Sequence, residues 1–255
     1  MSRPDNRLPN QLRELSFTRG YTRMAPGSVL VKMGRTTVLC TCCVEPKVPD
    51  FLVGRGKGWL TAEYGMLPGS TSTRKPRDKA GKVDGRSVEI QRLIGRSLRT
   101  VVDLERLGER TLWIDCDVLE ADGGTRTASI NGAFVALVDA LTARRDLFVA
   151  PVRQVVRDCV AAVSVGLVFP PVLDGAALPE PLELLDLDYR EDRDADVDLN
   201  LVMTGAGRLV EVQAGGEEAT FSLEQLGRLL ELGKRGIDTI TRSQRAALSA
   251  DWPLD

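Results

Sequence analysis

Two stretches of the chain hold residue types that could do chemistry. The first is Asp122-Gly123-Gly124-Thr125-Arg126-Thr127. Two glycines let a backbone approach a ligand with no Cβ in the way. If a helix starts there, its free N–H groups and positive dipole end form an anion site. Thr125 adds a hydroxyl donor, and Arg126 a forked, permanently charged one. The same letters also suit a plain turn followed by a helix cap. The spacing is neither that of a Walker loop nor that of a dinucleotide fingerprint, so it points to neither ATP nor NAD.

The second stretch runs from Leu185 to Asp192 and is dense in carboxylates, among them Asp186, Asp188 and Asp192. Read as the end of a strand over 184–189, it puts Asp186 and Asp188 on one face, with Asp192 returning from the turn beyond. Clustered carboxylates repel unless a cation or a proton sits between them. A divalent ion such as Mg²⁺, bound by one or two of these aspartates with waters and substrate phosphate, meets that need. A proton on Asp192, given to a leaving oxygen, meets it as well. A solvated acidic loop is the plain alternative.

Composition narrows the chemistry. The 255 residues include no histidine, which excludes Ser-His and Cys-His nucleophiles, histidine bases and histidine metal ligands. Five cysteines, three of them in Cys40-Thr41-Cys42-Cys43, fit a half-buried strand better than a zinc site or a disulfide framework. The formal net charge is −2, but it is divided into poles. Residues 69–86 hold six basic side chains against two acidic ones, and residues 186–198 hold seven acidic against two basic. A basic cradle, a basic loop and an acidic ion-type site together fit phosphoryl transfer on a polyanion. No apolar run is long enough to span a bilayer, and the first residues lack a signal peptide's apolar centre, so a cytoplasmic protein is expected.

The elements that must position these residues follow from periodicity. Residues 1–25 are polar, carry five arginines and form an arm, lying either on the body, on a neighbouring subunit or in solvent. Strands are expected over 28–33 and 36–45, joined as a hairpin through Gly34-Arg35, and over 58–64. Residues 69–85 have too few apolar side chains to pack and read as a mobile basic loop. A helix over 86–106 carries its apolar stripe on Ile90, Leu93, Ile94, Leu98, Val101 and Val102, with Arg92, Arg96 and Arg99 on another face. Arg86 would open that helix against its dipole, which marks it as a partner for an anion. A strand over 112–119 leads into the glycines, and a small-residue helix follows. Further strands are read at 159–168, 184–189, 197–203 and 209–212, with a proline-rich loop over 169–181. Ser222-Leu223-Glu224-Gln225 is a capping box that opens a helix to about Leu248. No linker divides the chain, so one α+β domain over 1–255, with mixed or antiparallel sheet, is the simplest account.

At this length of match the chain resembles the ribonuclease PH family of phosphorolytic 3′-to-5′ exoribonucleases, related to polynucleotide phosphorylase and the exosome ring. The resemblance rests on Gly27-Ser28-Val29-Leu30-Val31, Gly58-Trp59-Leu60-Thr61-Ala62-Glu63-Tyr64-Gly65-Met66-Leu67-Pro68 and Glu89-Ile90-Gln91-Arg92-Leu93-Ile94. It continues through Asp115-Cys116-Asp117-Val118-Leu119, residues 121–130, Val202-Met203-Thr204, Glu211-Val212-Gln213 and 217–221. It implies a ribosomal-protein-S5-domain-2-like fold and a homo-oligomeric, hexameric ring built as a trimer of dimers. The implied reaction uses inorganic phosphate as co-substrate to shorten RNA 3′ ends, chiefly of tRNA precursors. It releases nucleoside diphosphates, and its reverse adds nucleotides.

The resemblance also implies roles. Arg86, Gly124, Thr125 and Arg126 would bind the attacking phosphate. Asp186 and Asp192 would bind the divalent metal or assist the leaving group. Arg74, Arg77, Arg92, Arg96 and Arg99 are candidates for RNA contact or ring assembly. Two departures stand out: Gly69 occupies a place where many members have Arg, and the stretch 169–181 is longer than usual. The rival reading is a non-catalytic, RNA-binding ring subunit; such subunits lose the arginine or aspartate positions, and this chain keeps both.

Overall fold

Alternating apolar residues set the first sheet, and in chain order the elements run as follows. Strands β1 (Leu15–Arg19), β2 (Gly27–Met33), β3 (Thr36–Glu45) and β4 (Trp59–Met66) precede helices α1 (Gly85–Val101) and α2 (Leu104–Leu107). Strand β5 (Thr111–Glu120), helix α3 (Thr125–Ala143) and the short α4 (Val152–Val155) complete the first half. The second half holds β6 (Val160–Val168), β7 (Leu182–Leu185), α5 (Tyr189–Asp194), β8 (Val197–Thr204), β9 (Leu209–Gly216) and α6 (Leu223–Leu248). This is a computed structural model that describes residues 3, 5–77, 84–169, 180–216 and 219–254. Part of the basic loop and most of the proline-rich stretch therefore lie outside the described residues.

The strands form two sheets, ordered β1-β2-β3-β5-β4 and β7-β6-β8-β9. All neighbours are antiparallel except β4 and β5, which run parallel. The fold is α+β, with six α-helices among the described residues. Helix α3 packs on β2 and β3 of one sheet and on β6 of the other. Nearly all of its residues are buried, including Phe134, Leu137 and Leu141. A helix apolar on every side belongs in such a place. Helix α1, by contrast, is amphipathic and lays Ile90, Leu93, Ile94, Leu98 and Val101 against the first sheet. One apolar core runs through side chains of both sheets, from Val29 to Leu248.

Buried polar groups tie the halves together. The Asn131 amide of α3 donates to the Ala162 carbonyl at 2.9 Å and accepts from the Ala162 N–H at 2.8 Å. Ala162 lies beyond the reach of the short β7, so this side chain supplies the hydrogen bonds a neighbouring strand would make.

One open expectation is decided and two change. Of the places open to the arm, the body is the one it takes: Leu15–Arg19 pairs with β2, and Arg19 bonds Asp139 and Asp251. The helix expected over 86–106 stops at Val101, because Val102 turns extended to bridge Val156 and Asp103 caps the separate α2. The strand expected over 184–189 ends at Leu185. Asp186 adopts φ 55°, which breaks an extended chain. Asp188 then caps α5, accepting from Arg190 N and Glu191 N, while Glu191 accepts in return from Asp188 N. Asp186 and Asp188 therefore do not share a strand face. The hairpin, the cysteine strand and the capping box of α6 stand as expected.

Candidate active site

The glycines end β5 and start α3. Both take positive φ, 76° at Gly123 and 64° at Gly124, and Gly124 is the N-cap. A glycine cap has no side chain to offer, and among the described residues no side chain caps this helix. Its first N–H groups thus have no side-chain partner among the described residues, which separates an anion seat from a self-capped turn. Thr125 sits inside the helix, and its hydroxyl accepts from the Tyr64 hydroxyl at 2.9 Å. With its acceptor side engaged, Thr125 keeps its own O–H to donate.

Tyr64 was not singled out by residue type, and only its place in the structure reveals it. Burial raises its pKa, although the Thr125 hydrogen bond and the nearby Arg86 and Arg126 act the other way. It therefore stays a donor at neutral pH.

Arg126 leaves the first turn of α3 largely buried. Its Nη1 reaches Glu89 of α1 at 3.1 Å and also bonds Gln213 of β9. Arg86 lies in the first turn of α1, where Asp84 accepts from its backbone N–H at 3.4 Å. Its side chain is exposed and forms no salt bridge among the described residues. A cation left unpaired beside a helix N-terminus is a costly arrangement unless an anion visits it.

The acidic side contributes unevenly. Asp192, on α5, keeps an exposed edge, yet protein crowds its carboxyl. Desolvation raises its pKa first, and Asp198 on β8 adds to the rise. Arg86, Arg126 and Arg13 oppose it. Arg86, Arg126 and Asp192 are thus brought into one electrostatic neighbourhood. Asp198 joins them, although its sequence position inside a strand gave no sign of this.

Asp186 differs. It is wholly buried, and both of its oxygens are occupied by Arg13: Oδ1 accepts from Nη2 at 2.6 Å, and Oδ2 from Nε at 3.0 Å and the backbone N–H at 2.8 Å. Asp186 is next to the seat, since a Cβ built on Gly124 would lie 3.9 Å from its Oδ1. It faces an arginine, however, and not solvent.

The candidates for RNA contact separate as well. Arg74, Arg77 and Arg92 are exposed. The base of the loop that carries Arg74 and Arg77 is tied to the seat, because Ala121 N donates to Ser70 O at 2.8 Å. Arg96 pairs with Glu211 at 3.2 Å. Arg99 is taken up internally, bonding the Leu60 carbonyl at 2.9 Å and lying over the Trp59 ring at 5.5 Å.

For a divalent ion, no group of three or more His, Cys, Asp or Glu is assembled among the described residues. The partly exposed carboxyl of Asp192 suits an ion that keeps waters and substrate phosphate as its other ligands. Asp186, neutralised by Arg13, suits it less.

Known proteins resemble this chain over nearly its whole length. Residues 11–142 match the 3′ exoribonuclease family, domain 1, and residues 158–236 match its domain 2. The chain is 55% identical over 253 residues to Ribonuclease PH of Rhodopirellula baltica, covering 97% of this chain and 98% of that protein. Its fold is similar to that of rice (Oryza sativa) Rrp46, with TM-score 0.74, 22% identity, and 97% of this chain and 100% of that one covered. It is also similar to a chain of the Archaeoglobus fulgidus exosome with RNA bound to the active site, with TM-score 0.75, 22% identity, and 94% and 92% covered.

Proposed function

The chain belongs to the ribonuclease PH family of 3′ exoribonucleases, and on that premise we propose that it is a phosphate-dependent 3′-to-5′ exoribonuclease. The carrying observation is the uncapped start of α3, set beside Arg86, Arg126 and the carboxyl of Asp192.

Inorganic phosphate binds at Gly124, Thr125 and Arg126, with Arg86 closing over it. Attack on a phosphodiester brings two anions together, and these fixed donors offset their repulsion. A phosphate oxygen bonds to the terminal phosphorus while the 3′-oxygen of the preceding nucleotide leaves and takes up a proton. The products are a nucleoside diphosphate and an RNA one residue shorter; the reverse reaction lengthens RNA. Asp192 acts at the leaving oxygen, as its proton donor or as the ligand of an ion there. A divalent cation, Mg²⁺ by its preference for oxygen, would be held by Asp192 together with waters and substrate phosphate and would supply charge neutralisation at that oxygen. Asp186 anchors the turn that carries Asp192. Arg74, Arg77 and Arg92 offer phosphodiester contacts, while Arg96 and Arg99 serve the protein's own packing and assembly.

The two matched stretches act as one unit, since a single core runs through both. tRNA precursors are the main substrates, a hexameric ring of dimers is the working form, and the cytoplasm is the compartment. No helix among the described residues is long and apolar enough to cross a membrane.

The test supplies RNA with a free 3′ end, with and without phosphate. Nucleoside diphosphates formed only with phosphate are expected. Monophosphates formed regardless of phosphate would overturn the reading.

A further inference from the structure

We propose that Arg13 is a positioning residue for this reaction: it rivets the phosphate seat to the acidic turn, so that Asp192 meets a phosphate held at a fixed place. The inference rests on the phosphorolytic reading above and concerns a residue of the N-terminal arm that makes none of the chemistry itself.

Arg13 lies just ahead of β1, buried, and its guanidinium contacts two separate segments. Toward the acidic turn, Nε and Nη2 hold the two oxygens of Asp186, with the backbone N–H of Arg13 as a third donor. Toward the seat, Nη1 donates to the Asp122 carbonyl at 2.6 Å and Nη2 to the Gly123 carbonyl at 3.4 Å. Gly34 leaves room for the stem, since a Cβ there would meet the Arg13 Cδ at 2.6 Å.

The two riveted segments already touch. A Cβ on Gly123 would lie 2.6 Å from the Leu187 carbonyl oxygen and 2.8 Å from Tyr189 N. Asp186 precedes the N-cap of α5 by two residues, and Asp192 closes the first turn of that helix through its N–H to the Asp188 carbonyl at 2.8 Å. The path from Arg13 to Asp192 is thus one ion pair and one helical turn.

Only arginine fits this role. Its planar fork presents five donors in fixed directions, whereas lysine offers a point charge that can satisfy one side at a time. The seat has a second, independent support: Thr36 Oγ1 donates to the Gly123 carbonyl at 2.6 Å and accepts from Asp122 N at 2.9 Å. Thr36 makes no hydrogen bond to Asp186.

The experiment compares Arg13→Lys with Thr36→Val in the full chain, reading kcat, KM for phosphate, RNA affinity and the rise in Tm caused by inorganic phosphate alone. Arg13→Lys keeps the charge but splits the rivet, so kcat falls about ten-fold or more and phosphate KM rises by a similar factor, while RNA affinity holds. Thr36→Val loosens the seat alone and raises phosphate KM several-fold with kcat near the starting value. If Arg13→Lys does not fold, Asp186→Asn decides, because it removes the charge that Arg13 grips: a kcat and a phosphate KM both unchanged would overturn the proposal. So would Arg13→Lys losing activity only in proportion to its unfolded fraction. A starting enzyme that releases no diphosphates would instead sink the phosphorolytic reading, and the phosphate-induced Tm rise would still report whether Arg13 shapes the seat: an equal rise in Arg13→Lys overturns the proposal, a lost one supports it.

Discussion

On one side of the α3 N-terminus, Arg3, Arg7 and Arg13 are drawn into protein and matched to carboxylates. Arg3 bonds both oxygens of Glu191 at 2.6 and 2.7 Å, Arg7 approaches Asp186 and Glu191, and Arg13 holds Asp186. On the other side, Arg86 and Arg92 stand exposed with no salt bridge among the described residues. The residue type is the same and the use is opposite. A buried guanidinium must be paired, so it fixes structure, whereas an exposed and unmatched one stays available to a visiting anion. Arg126 is intermediate: its outer nitrogen is tethered to Glu89 and Gln213, which aims the group without neutralising it completely.

The contrast can be broken at several points. The largest effect is expected at Arg126→Ala, where release of nucleoside diphosphates should fall by about a thousand-fold as a donor to the transition state is lost. Normal turnover there would remove the seat from the site. Next, Arg3→Met takes from buried Glu191 its two-pronged partner, leaving Arg7 at 3.4 Å and the Asp188 N–H, and should cost about 2 kcal/mol of stability, read by urea unfolding. Arg86→Ala should leave that stability unchanged and raise phosphate KM about ten-fold. If Arg86 and Arg3 exchanged these outcomes, the division between structural and available arginines would fail.

Smaller effects sharpen the same line. Arg92→Ala should weaken RNA binding and lower its salt dependence by about one counterion. Arg99→Ala should instead reduce stability by about 1 kcal/mol through its lost stacking on Trp59, with RNA affinity unaffected. The smallest concerns Asp192. Its folded-state pKa is raised, chiefly by desolvation, so its ionised form opposes folding. Asp192→Asn should raise Tm slightly at neutral pH. The gain should shrink as pH falls through the raised value and vanish below the ordinary carboxyl value of 3.8. A gain that persisted in acid would show that desolvation is not its source.

Much of this molecule was legible in its letters. Apolar alternation marked β3 and β5, near-continuous apolar runs marked β2 and β6, and Ser222 with Gln225 marked the start of α6. Gly123 and Gly124 announced a tight backbone, and the positive φ at both confirms why no larger residue would serve. The failures share a cause. Leu15–Arg19 has weak periodicity and becomes a strand because β2 offers it an edge. Asp188-Tyr189-Arg190-Glu191 is a capping-box spelling that period-two reasoning overlooked. Tyr64, Asp198 and Gln213 lie on strands whose own patterns explain them fully. Their second role exists only where separate strands converge on α3. Arg13 needed a partner 173 positions away, and no local signal marks such a pair.

The order in which the chain is synthesised gives the Arg13 ion pair a further consequence. Gly124–Arg126 emerges from a ribosome well before Asp186 and Asp192, so a nascent chain builds the phosphate seat while the carboxylates are still unmade. During that interval β1 can already pair with β2, but Arg13 has no carboxylate to bury against. The segment just ahead of β1 therefore locks only on a chain that has reached α5. A truncated product carries a loose seat and no acid. Cleavage of RNA is deferred until translation has supplied both halves.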